Sequence, residues 1–437
     1  MVYLGTEHPT PNPACRTTRL MDRPLRFCMI TTFYPPYNFG GDGIFVHRLS
    51  NELARRGHQV EVVHCIDSYR FLARGEPKET YHDHPGVIVH GLRSPFGFLS
   101  PAATQLTGLP FFKSARLRQI LEKEFDVIHY HNVSLFGPRI LQYGRGIKFY
   151  TMHEYWLVCP THLLFRFKRA PCARQYCFLC GLTYKRPPQL WRYFGLLQSG
   201  VKHVDAFLAP NLFIIDKHRQ MGFDGPLVHM PYFVPPAERS SPTSGQAISV
   251  APDKPYFLFV GRLEKLKGLQ TVIPIFRQYR KAQLLIAGRG EYEPQLRQLS
   301  EGSNNIRFLG HLSHWQLEEL YRQAVAVIVP SIWFEVSPLV IIEAFGQQTP
   351  AVVRDLGGMA EIIKESGGGF AYKTDGELVA ALDRLVLEPS CRRELGLRGY
   401  EAYRHKWTAE VYLERYFGLI REIETTRTSR SSKSALS

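Results

Sequence analysis

The sequence predicts two α/β domains of the doubly wound type that face each other across a central cleft. Three observations predict this class. The chain of 437 residues is too long for one hydrophobic core and suits two domains of ordinary size. Short apolar runs alternate with amphipathic segments in both halves of the chain. A stretch rich in proline and serine, residues 235–255, separates the two series and indicates a linker.

The first series opens with a strand, a loop, a helix and a second strand. Residues 25–33 are almost continuously apolar, which is typical of a buried strand. The loop that follows, residues 34–43, is rich in proline and glycine and suits no regular element. Apolar residues then recur at helical spacing as far as Ala54, and Gly57 is a natural residue just beyond a helix. Residues 59–65 give the next strand and complete a doubly wound unit.

Further short apolar runs predict the remaining strands. They cover residues 86–92, 126–131, 147–153 and 205–210 in the first half, and residues 256–261, 282–288, 305–310, 324–330 and 350–354 in the second. The clearest helices of the second half cover residues 316–323 and 377–387. Two such domains joined by a linker place a ligand cleft between them.

These patterns set the predicted boundaries. We expect disordered tails over residues 1–22 and 426–437, an N-terminal domain over 23–236 with a cysteine-bearing insertion at 154–195, a linker over 237–254, a C-terminal domain over 255–404, and C-terminal helices over 405–425 that cross back to the N-terminal domain. The first residues lack the apolar segment of a secretory signal. No apolar stretch approaches the ~20 residues that a membrane-spanning helix needs.

Composition and charge narrow the class of partner. The net charge of +15 favours anionic partners such as nucleic acid, acidic lipid or phosphorylated substrates. No motif for RNA or DNA binding is present, so we expect no nucleic acid partner. The eight cysteines are unevenly placed, which argues against a disulfide framework and favours a reducing, cytoplasmic location.

Charged side chains follow two strands of the second domain. Arg262 and Lys267 lie in the loop after the first of these strands, and they suit a diphosphate because Arg bonds it bidentately and Lys acts as a point charge. Glu335 ends the loop after the fourth strand, and Glu343 lies on the first turns of the next helix, whose free N–H groups take an anionic group. Alone, two such glutamates are more often unrelated surface residues. At one sheet edge, these groups suit a nucleotide sugar.

The order of the motifs resembles that of retaining glycosyltransferases of the GT-B architecture, in the large family usually called GT4. The likeness runs from about residue 25 to about residue 424 and rests on Phe39-Gly40-Gly41, Arg56-Gly57-His58-Gln59-Val60, Asp126-Val-Ile-His129-Tyr-His131, Val260-Gly261-Arg262, Lys267-Gly268, Gly288-Arg-Gly290, Glu335, Glu343-Ala344 and Gly357-Gly358 with Glu361. It implies two Rossmann-like domains. It also implies transfer of a hexosyl-type sugar from a UDP-, GDP- or ADP-sugar to a glycan, lipid-linked or other acceptor, within cell-surface polysaccharide or glycoconjugate biosynthesis.

The resemblance also implies a role for each matching position. Arg262 and Lys267 would neutralise the departing diphosphate, Glu335 would contact sugar hydroxyls, and Glu343 would hold the ribose. His131 would sit beside the donor sugar and the acceptor, with His129 behind it, although a structural role in the sheet is the alternative for both. The implied donor-binding set is Gly40, Gly41, Gly261, Arg262, Lys267, Gly290, Glu335, Ser337, Pro338, Leu339, Val340 and Glu343. The catalytic set is His131, Glu335, Arg262 and Lys267, and the acceptor-side set is His129, His131, His153 and Glu154.

We expect the transfer to need no metal cofactor. Breaking the bond to a diphosphate develops negative charge, which fixed cations or a metal must stabilise. The sequence has no Asp-x-Asp element of the kind that metal-using transferases commonly carry, so Arg262, Lys267 and the helix ends remain for this task. Because no enzymic nucleophile is evident, retention fits a front-face route in which the leaving phosphate helps to deprotonate the acceptor.

Four cysteines within the insertion form a candidate structural zinc site. They are Cys159, Cys172, Cys177 and Cys180. The C-x4-C-x2-C spacing also occurs in iron–sulfur proteins, and a set of reduced, partly buried thiols is a third possibility. Some relatives with His-Asp-Tyr-Trp at this place carry a similar insertion, and here Glu154 replaces the Asp. A bound metal would order a basic, aromatic segment on the acceptor side.

Two departures from the family pattern affect the site. Pro231-Tyr232-Phe233 stands where many relatives have an Asn-containing turn, and Ser337-Pro338 replaces a commoner Phe-Gly pair.

Three further classes of function compete with transfer. The first is an oxidoreductase, which would need Gly-x-Gly-x-x-Gly, and Gly288-Arg-Gly290 lacks the third glycine. The second competing class is a GT-B epimerase or phosphorylase. The third is a non-catalytic basic module that binds membrane or nucleic acid.

Basic and aromatic residues also predict a peripheral membrane contact. They cluster in residues 111–123 and 165–191 of the N-terminal domain. Such a mixture suits docking on acidic lipid at the inner face of the plasma membrane, where lipid-linked acceptors reside.

Overall fold

A computed structural model describes residues 23–73, 75–77, 80–172, 177–236 and 254–434. The strands are β1 (Arg26–Ile30), β2 (Gln59–Cys65), β3 (Val87–Leu92), β4 (Val127–Tyr130), β5 (Ile147–Thr151), β6 (Phe165–Arg166), β7 (Ala170–Pro171), β8 (Ala206–Ala209), β9 (Leu227–His229), β10 (Tyr256–Val260), β11 (Gln283–Ala287), β12 (Ile306–Gly310), β13 (Ala326–Val329), β14 (Ala351–Arg354) and β15 (Gly369–Tyr372).

The helices lie between and after these strands. They are α1 (Gly41–Arg55), α2 (Ile66–Ala73), α3 (Leu99–Thr107), α4 (Ser114–Leu121), α5 (Cys177–Thr183), α6 (Leu196–Val201), α7 (Leu212–Gln220), α8 (Leu269–Gln278), α9 (Glu293–Leu299), α10 (His314–Gln323), α11 (Leu339–Gly346), α12 (Gly358–Ser366), α13 (Asp375–Leu387), α14 (Pro389–Lys406) and α15 (Ala409–Ser434). Short 3₁₀ turns occur at Phe111–Lys113, Pro138–Gln142, Leu190–Arg192 and Lys265–Lys267.

Each domain is built on one parallel sheet. The N-terminal sheet has the order β3-β2-β1-β4-β5-β8-β9, and the C-terminal sheet has the order β12-β11-β10-β13-β14-β15. Strands β6 and β7 pair antiparallel outside both sheets. The sequence-based prediction of two Rossmann-like α/β domains is therefore confirmed. Parallel strands end together, so the loops that follow them meet at the carboxyl edge of each sheet.

Side-chain alternation divides the core of each domain into two layers. On β1, Phe27 and Met29 pack into one cluster, while Cys28 and Ile30 pack into another on the opposite face. All four side chains are fully buried. The C-terminal domain repeats this arrangement around β10. Both faces of each sheet are covered by helices, which explains the continuous apolar runs that predicted the strands.

The chain crosses between the domains twice, and the two crossings are bonded to each other. The N–H of Val234 donates to the carbonyl of Trp407 at 2.9 Å. The hydroxyl of Tyr403 donates to the carbonyl of Val234 at 3.1 Å. Helix α15 then returns to the N-terminal domain, where Tyr412 and Tyr416 pack into the cluster that contains Phe27. The last helix of the chain is thus part of the N-terminal core.

The expected disordered tail at 426–437 is wrong over the residues that the structure describes. Helix α15 continues to Ser434, and residues 435–437 lie outside the described residues. Hydroxyl groups in this polar segment bond back to carbonyls four residues earlier, for example Thr426 to Glu422 at 2.9 Å. Arg427 also bonds Asp205 at 2.6 Å. The helix therefore runs past the predicted end at residue 425, and an apolar pattern could not reveal this because the segment is polar.

Two other predicted segments lie outside the described residues. They are the N-terminal tail at 1–22 and the linker at 237–254, of which only residue 254 is described. Among the helices that the structure describes, none combines the length and apolar character needed to span a bilayer.

Candidate active site

Glycines let the loops at the carboxyl edge of the C-terminal sheet pack backbone against backbone. A Cβ atom on Gly288 would lie 1.9 Å from the carbonyl oxygen of Gly261, and one on Gly268 would lie 1.9 Å from that of Pro330. A Cβ on Gly290 would lie 2.4 Å from the carbonyl oxygen of Leu263. Gly268 also has a φ of +79°, which side-chain-bearing residues rarely adopt. The loops that carry the predicted donor-binding residues are therefore held close together.

Glu335 and Lys267 form a buried ion pair at this edge. The Nζ of Lys267 lies 2.7 Å from Oε1 of Glu335. The same oxygen accepts from the hydroxyl of Ser331 at 2.6 Å and from the indole N–H of Trp333 at 3.0 Å. Burial raises the pKa of Glu335, but Lys267 and the two neutral donors outweigh it and hold the pKa below its usual value. Glu335 is therefore an ionised hydrogen-bond acceptor with a fixed orientation.

The N-termini of two helices from different domains approach each other beside this pair. The predicted residues Gly40 and Gly41 stand at the start of α1, and Ser337, Pro338, Leu339 and Val340 stand at the start of α11. A Cβ on Gly41 would lie 3.5 Å from the side chain of Leu339. Both helix ends carry partial positive charge and unpaired N–H groups. Such a pair of helix ends suits an anionic group that contacts both domains.

Arg262 lies at the same edge but points toward an acidic neighbour. Its guanidinium pairs with Glu264 at 2.8 Å, and about half of its side chain is exposed. Exposed ion pairs of this kind are weak, so Arg262 can exchange Glu264 for a phosphate at little cost.

Glu343 joins the two domains through an ion pair that the sequence did not reveal. Its Oε1 lies 2.8 Å from Nη2 of Arg48 on α1, and its Oε2 accepts from the hydroxyl of Tyr321 at 3.1 Å. Nη1 of Arg48 is buried and has no hydrogen-bond partner among the described residues. Glu343 also borders a cavity of about 550 Å³. Arg48 was missed because no family motif contains it.

Of the four predicted acceptor-side residues, His129 lies on β4, His131 follows β4, and His153 and Glu154 follow β5. The three histidine rings stack in one array, in which His131 and His153 are hydrogen-bonded. Nδ1 of His131 lies 2.9 Å from Nε2 of His153, and Nδ1 of His153 lies 2.5 Å from the hydroxyl of Tyr232. His129 stacks on His131 and bonds Thr151 and Tyr416. Nε2 of His131 is buried without a partner in the described part of the chain.

The array keeps its imidazoles neutral. Burial lowers the pKa of His153 to about 4, although Asp42 opposes the shift. Burial likewise lowers the pKa of His129 and of His131 well below the usual value, and the neighbouring histidines add to the effect. Nδ1 of His131 bonds His153, which Tyr232 holds in turn, so Nε2 is the His131 ring nitrogen that lacks a partner among the described residues.

Glu154 lies next to His153 and turns into the insertion. Its Oε2 pairs with Nδ1 of His162 at 2.9 Å, and its Oε1 is buried without a partner among the described residues. Burial lowers the pKa of His162, against the opposing charge of Glu154. Glu154 therefore anchors the insertion beside the histidine array.

The four cysteines come together around one small cavity. Cys159, Cys172, Cys177 and Cys180 all border it, together with apolar side chains. Burial, together with the neighbouring thiols, raises the pKa of Cys177 to about 11. The N–H of Phe167 bonds the sulfur of Cys180 at 3.4 Å. However, no group of three or more potential ligands in the described residues is arranged to hold a metal ion. The described residues therefore show four thiols around one cavity, without the arrangement of a metal site.

A second set of contacts closes the cleft at its other flank. The carboxylate of Glu361 on α12 accepts from the N–H groups of Leu212 and Phe213 at 2.7 and 2.8 Å, which caps α7 across the domain boundary. The side-chain amide of Asn211 donates to the carbonyl of Val336. The sequence pattern contained Glu361 as part of a motif but gave no sign of its partner.

Family models match both halves of the chain. The model for Glycosyltransferase Family 4 matches residues 39–238, and the model for Glycosyl transferases group 1 matches residues 242–402. An uncharacterized glycosyltransferase of Methanocaldococcus jannaschii is 25% identical over 382 residues, which cover 83% of this chain and 89% of the relative.

Solved structures share the fold. Sucrose-phosphate synthase from Thermosynechococcus elongatus superposes with a TM-score of 0.70 at 18% identity, covering 92% of this chain and all of that one. Anabaena HepE in complex with UDP-glucose superposes with a TM-score of 0.61 at 14% identity, covering 92% of this chain and all of that one. At these identities the superpositions establish the two-domain fold.

The first prediction concerns the histidine array. His131→Ala removes the unpaired nitrogen and should lower turnover about 100-fold. Tyr232→Phe removes only the hydroxyl that orients His153, so it should lower kcat severalfold while the donor KM stays unchanged. Tyr130→Phe is the matched control, because its hydroxyl bonds main-chain carbonyls of the same domain. Full turnover in a folded His131→Ala protein would remove His131 from the mechanism.

The second prediction concerns pH. His64, His153 and His218 are buried with pKa values lowered to about 4. In the unfolded chain these histidines take up protons near pH 6.5, whereas in the folded protein they do so only near pH 4. Their contribution to the free energy of unfolding is therefore fully present above pH 6.5 and is lost as the pH falls toward 4. Denaturant titrations between pH 7.5 and 5 should show a loss on the order of 1 kcal/mol per pH unit for each histidine. His218→Gln should reduce the slope, and a flat profile would contradict the prediction.

Proposed function

The chain belongs to the GT4-type glycosyltransferases of GT-B fold, and we propose that it transfers a hexosyl group from a nucleotide sugar to a glycan or lipid-linked acceptor with retention of configuration. One observation carries the proposal. Arg262 and Lys267 lie in one loop at the carboxyl edge of the C-terminal sheet, Lys267 bonds Oε1 of Glu335 there, and the start of α11, four residues after Glu335, meets the start of α1. A diphosphate linked to a sugar satisfies both kinds of group.

The donor side supports a nucleotide diphosphate in particular. Arg262 and Lys267 supply the fixed positive charge that a departing diphosphate needs. Glu343 and the cavity beside it suit a ribose and its base, because the carboxylate accepts hydroxyl protons. Since HepE, which shares the fold, is known in complex with UDP-glucose, UDP-sugars are the first donors to test, followed by GDP- and ADP-sugars.

The proposed chemistry is a front-face substitution. The bond between the anomeric carbon and the diphosphate oxygen breaks while the acceptor oxygen bonds the same face of that carbon. The acceptor proton passes to the departing phosphate oxygen. Glu335 holds sugar hydroxyls, and His131 bonds the sugar through its unpaired Nε2. Glu335 Oε1 already accepts from three donors, which favours hydroxyl binding over nucleophilic attack.

The third prediction tests the donor site. Lys267→Ala should lower turnover about 100-fold or more, because an uncompensated diphosphate charge raises the barrier. Lys265→Ala, in the same turn and exposed, should leave turnover unchanged and serves as the control. A thermal-shift panel of UDP-, GDP- and ADP-sugars should show stabilisation by one donor class. Wild-type turnover in Lys267→Ala would contradict the assignment.

Dependence on an acceptor separates the proposed transfer from the competing functions. A transferase releases nucleoside diphosphate in step with product, whereas an epimerase interconverts the donor alone and a phosphorylase consumes phosphate. A non-catalytic module turns over no donor. The anomeric configuration of the product, read by NMR, then decides between retention and inversion. We also propose a cytoplasmic location, which the uneven cysteine placement favours, and a place in polysaccharide or glycoconjugate biosynthesis, which the family resemblance implies.

The fourth prediction concerns the thiol cavity. If the four cysteines hold structural zinc, protein purified without chelators should contain about one zinc per chain, and chelation should lower the melting temperature. Cys391→Ser is the control, because that cysteine lies in the other domain. The opposite result would be protein that contains no zinc or iron and whose cysteines, including these four, all react as free thiols after unfolding. That result would favour reduced thiols. Transfer itself is expected to need no added metal.

A further inference from the structure

Exposed apolar side chains are concentrated in two segments of the N-terminal domain. Of the twenty-one large apolar side chains exposed among the described residues, twelve fall in residues 93–121 and 160–204. The most exposed aromatic side chains in these segments are Phe194 at 83%, Tyr193 at 64% and Phe98 at 61%. Single exposed apolar residues are ordinary, but such a concentration marks an interaction surface.

Six aromatic side chains of these segments form what we call the aromatic patch: Phe96, Phe98, Phe111, Phe112, Tyr193 and Phe194. Ring centroids of Phe96 and Phe112 lie 4.3 Å apart, and those of Phe111 and Phe112 lie 4.7 Å apart. The indole N–H of Trp191 donates to the carbonyl of Gln105 at 3.0 Å, which fixes the turn before Tyr193 against α3. The two segments that carry the patch are therefore packed against each other.

The same two segments contain no acidic residue. The first has four Lys or Arg residues and the second has eight. Arg118 and Arg139 line an open hollow of about 340 Å³ beside Phe111, together with Ser114 and Tyr143. Neither arginine forms an ion pair with any carboxylate in the described part of the chain. Exposed aromatic rings therefore lie next to two arginines that have no carboxylate partner. This combination matches a lipid bilayer, which has an apolar interior and anionic headgroups.

We propose that the aromatic patch docks on an anionic lipid bilayer, with Arg118 and Arg139 binding a lipid phosphate. Aromatic rings favour the interface between acyl chains and headgroups, and arginine bonds phosphate bidentately. The complete lack of acidic residues in the two segments favours this occupant over a protein partner, because protein interfaces commonly pair both signs of charge at their rims.

The position of the patch relates it to the cleft. Its first segment follows β3 and its second follows β5, and these strands run parallel in one sheet. Both segments therefore leave the sheet at the edge that carries His131 and His153. Docking through the patch would bring this edge near the bilayer, where a lipid-linked acceptor can reach the histidine array. That last step rests on the proposed function, whereas vesicle binding does not.

The experiment measures co-sedimentation with vesicles of phosphatidylcholine alone and of phosphatidylcholine mixed with phosphatidylglycerol. Phe98→Ser/Phe194→Ser tests the aromatic patch, and Arg118→Gln/Arg139→Gln tests the hollow. Matched controls in the C-terminal domain are Trp315→Ser/Leu387→Ser, which removes exposed apolar groups, and Arg277→Gln/Arg307→Gln, which removes the same charge. Melting temperature and donor-induced thermal shift are recorded for every variant.

We expect wild type to bind the mixed vesicles, and each patch variant to lose about tenfold or more in partitioning. The controls should bind like wild type, and added salt should weaken binding. The proposal is overturned if wild type ignores anionic vesicles, or if either patch variant binds them as wild type does. A concentration-dependent dimer that Phe98→Ser/Phe194→Ser dissolves, without vesicle binding, would overturn it by assigning the patch to a second copy. An intact donor shift in these variants separates such a failure from a failure of the proposed transfer.

Discussion

The return of the last helix to the N-terminal domain is the constraint on which the cleft depends. The two chain crossings are bonded to each other through Val234, Trp407 and Tyr403, so the domains cannot drift apart freely. Beyond the second crossing, the hydroxyl of Tyr416 lies 2.9 Å from Nδ1 of His129. A residue of the final helix therefore orients a histidine of the acceptor side. The C-terminal segment thus helps to position a predicted acceptor-side residue, although it contains no motif residue of its own.

Charge pairing inside the cleft fixes the two cations of the candidate site to different degrees. Lys267 is paired with Glu335, and Arg262 is paired with Glu264. The buried pair fixes geometry, since an unpaired buried charge would cost several kcal/mol, on the order of 3–5. The exposed pair costs little to break, so Arg262 is the cation that is free to move toward a phosphate. One site thus combines a rigid cation with an adjustable one.

The sequence predicted most of the fold because both sheets are buried on two faces, and buried parallel strands leave continuous apolar runs. It also placed Lys267 and Glu335 at one sheet edge, where they form an ion pair, because loops after parallel strands must meet at one edge. It could not reveal Arg48 or the partner of Glu361, since contacts across the cleft depend on how two rigid domains are set against each other. The polar end of α15 was not predicted for a different reason, because a helical segment made of polar residues leaves no apolar period in the sequence.

Domain closure and donor binding are compatible at Glu343, although Arg48 already occupies that carboxylate. Each carboxylate oxygen carries two lone pairs, and Arg48 and Tyr321 take one on each oxygen. A ribose hydroxyl can therefore donate to Glu343 while Arg48 stays in place. The second amino group of Arg48 is buried and still lacks a partner among the described residues, so a bound phosphate or hydroxyl would satisfy it. Under the proposed function, a donor in the cleft would therefore add bonds to both domains at once.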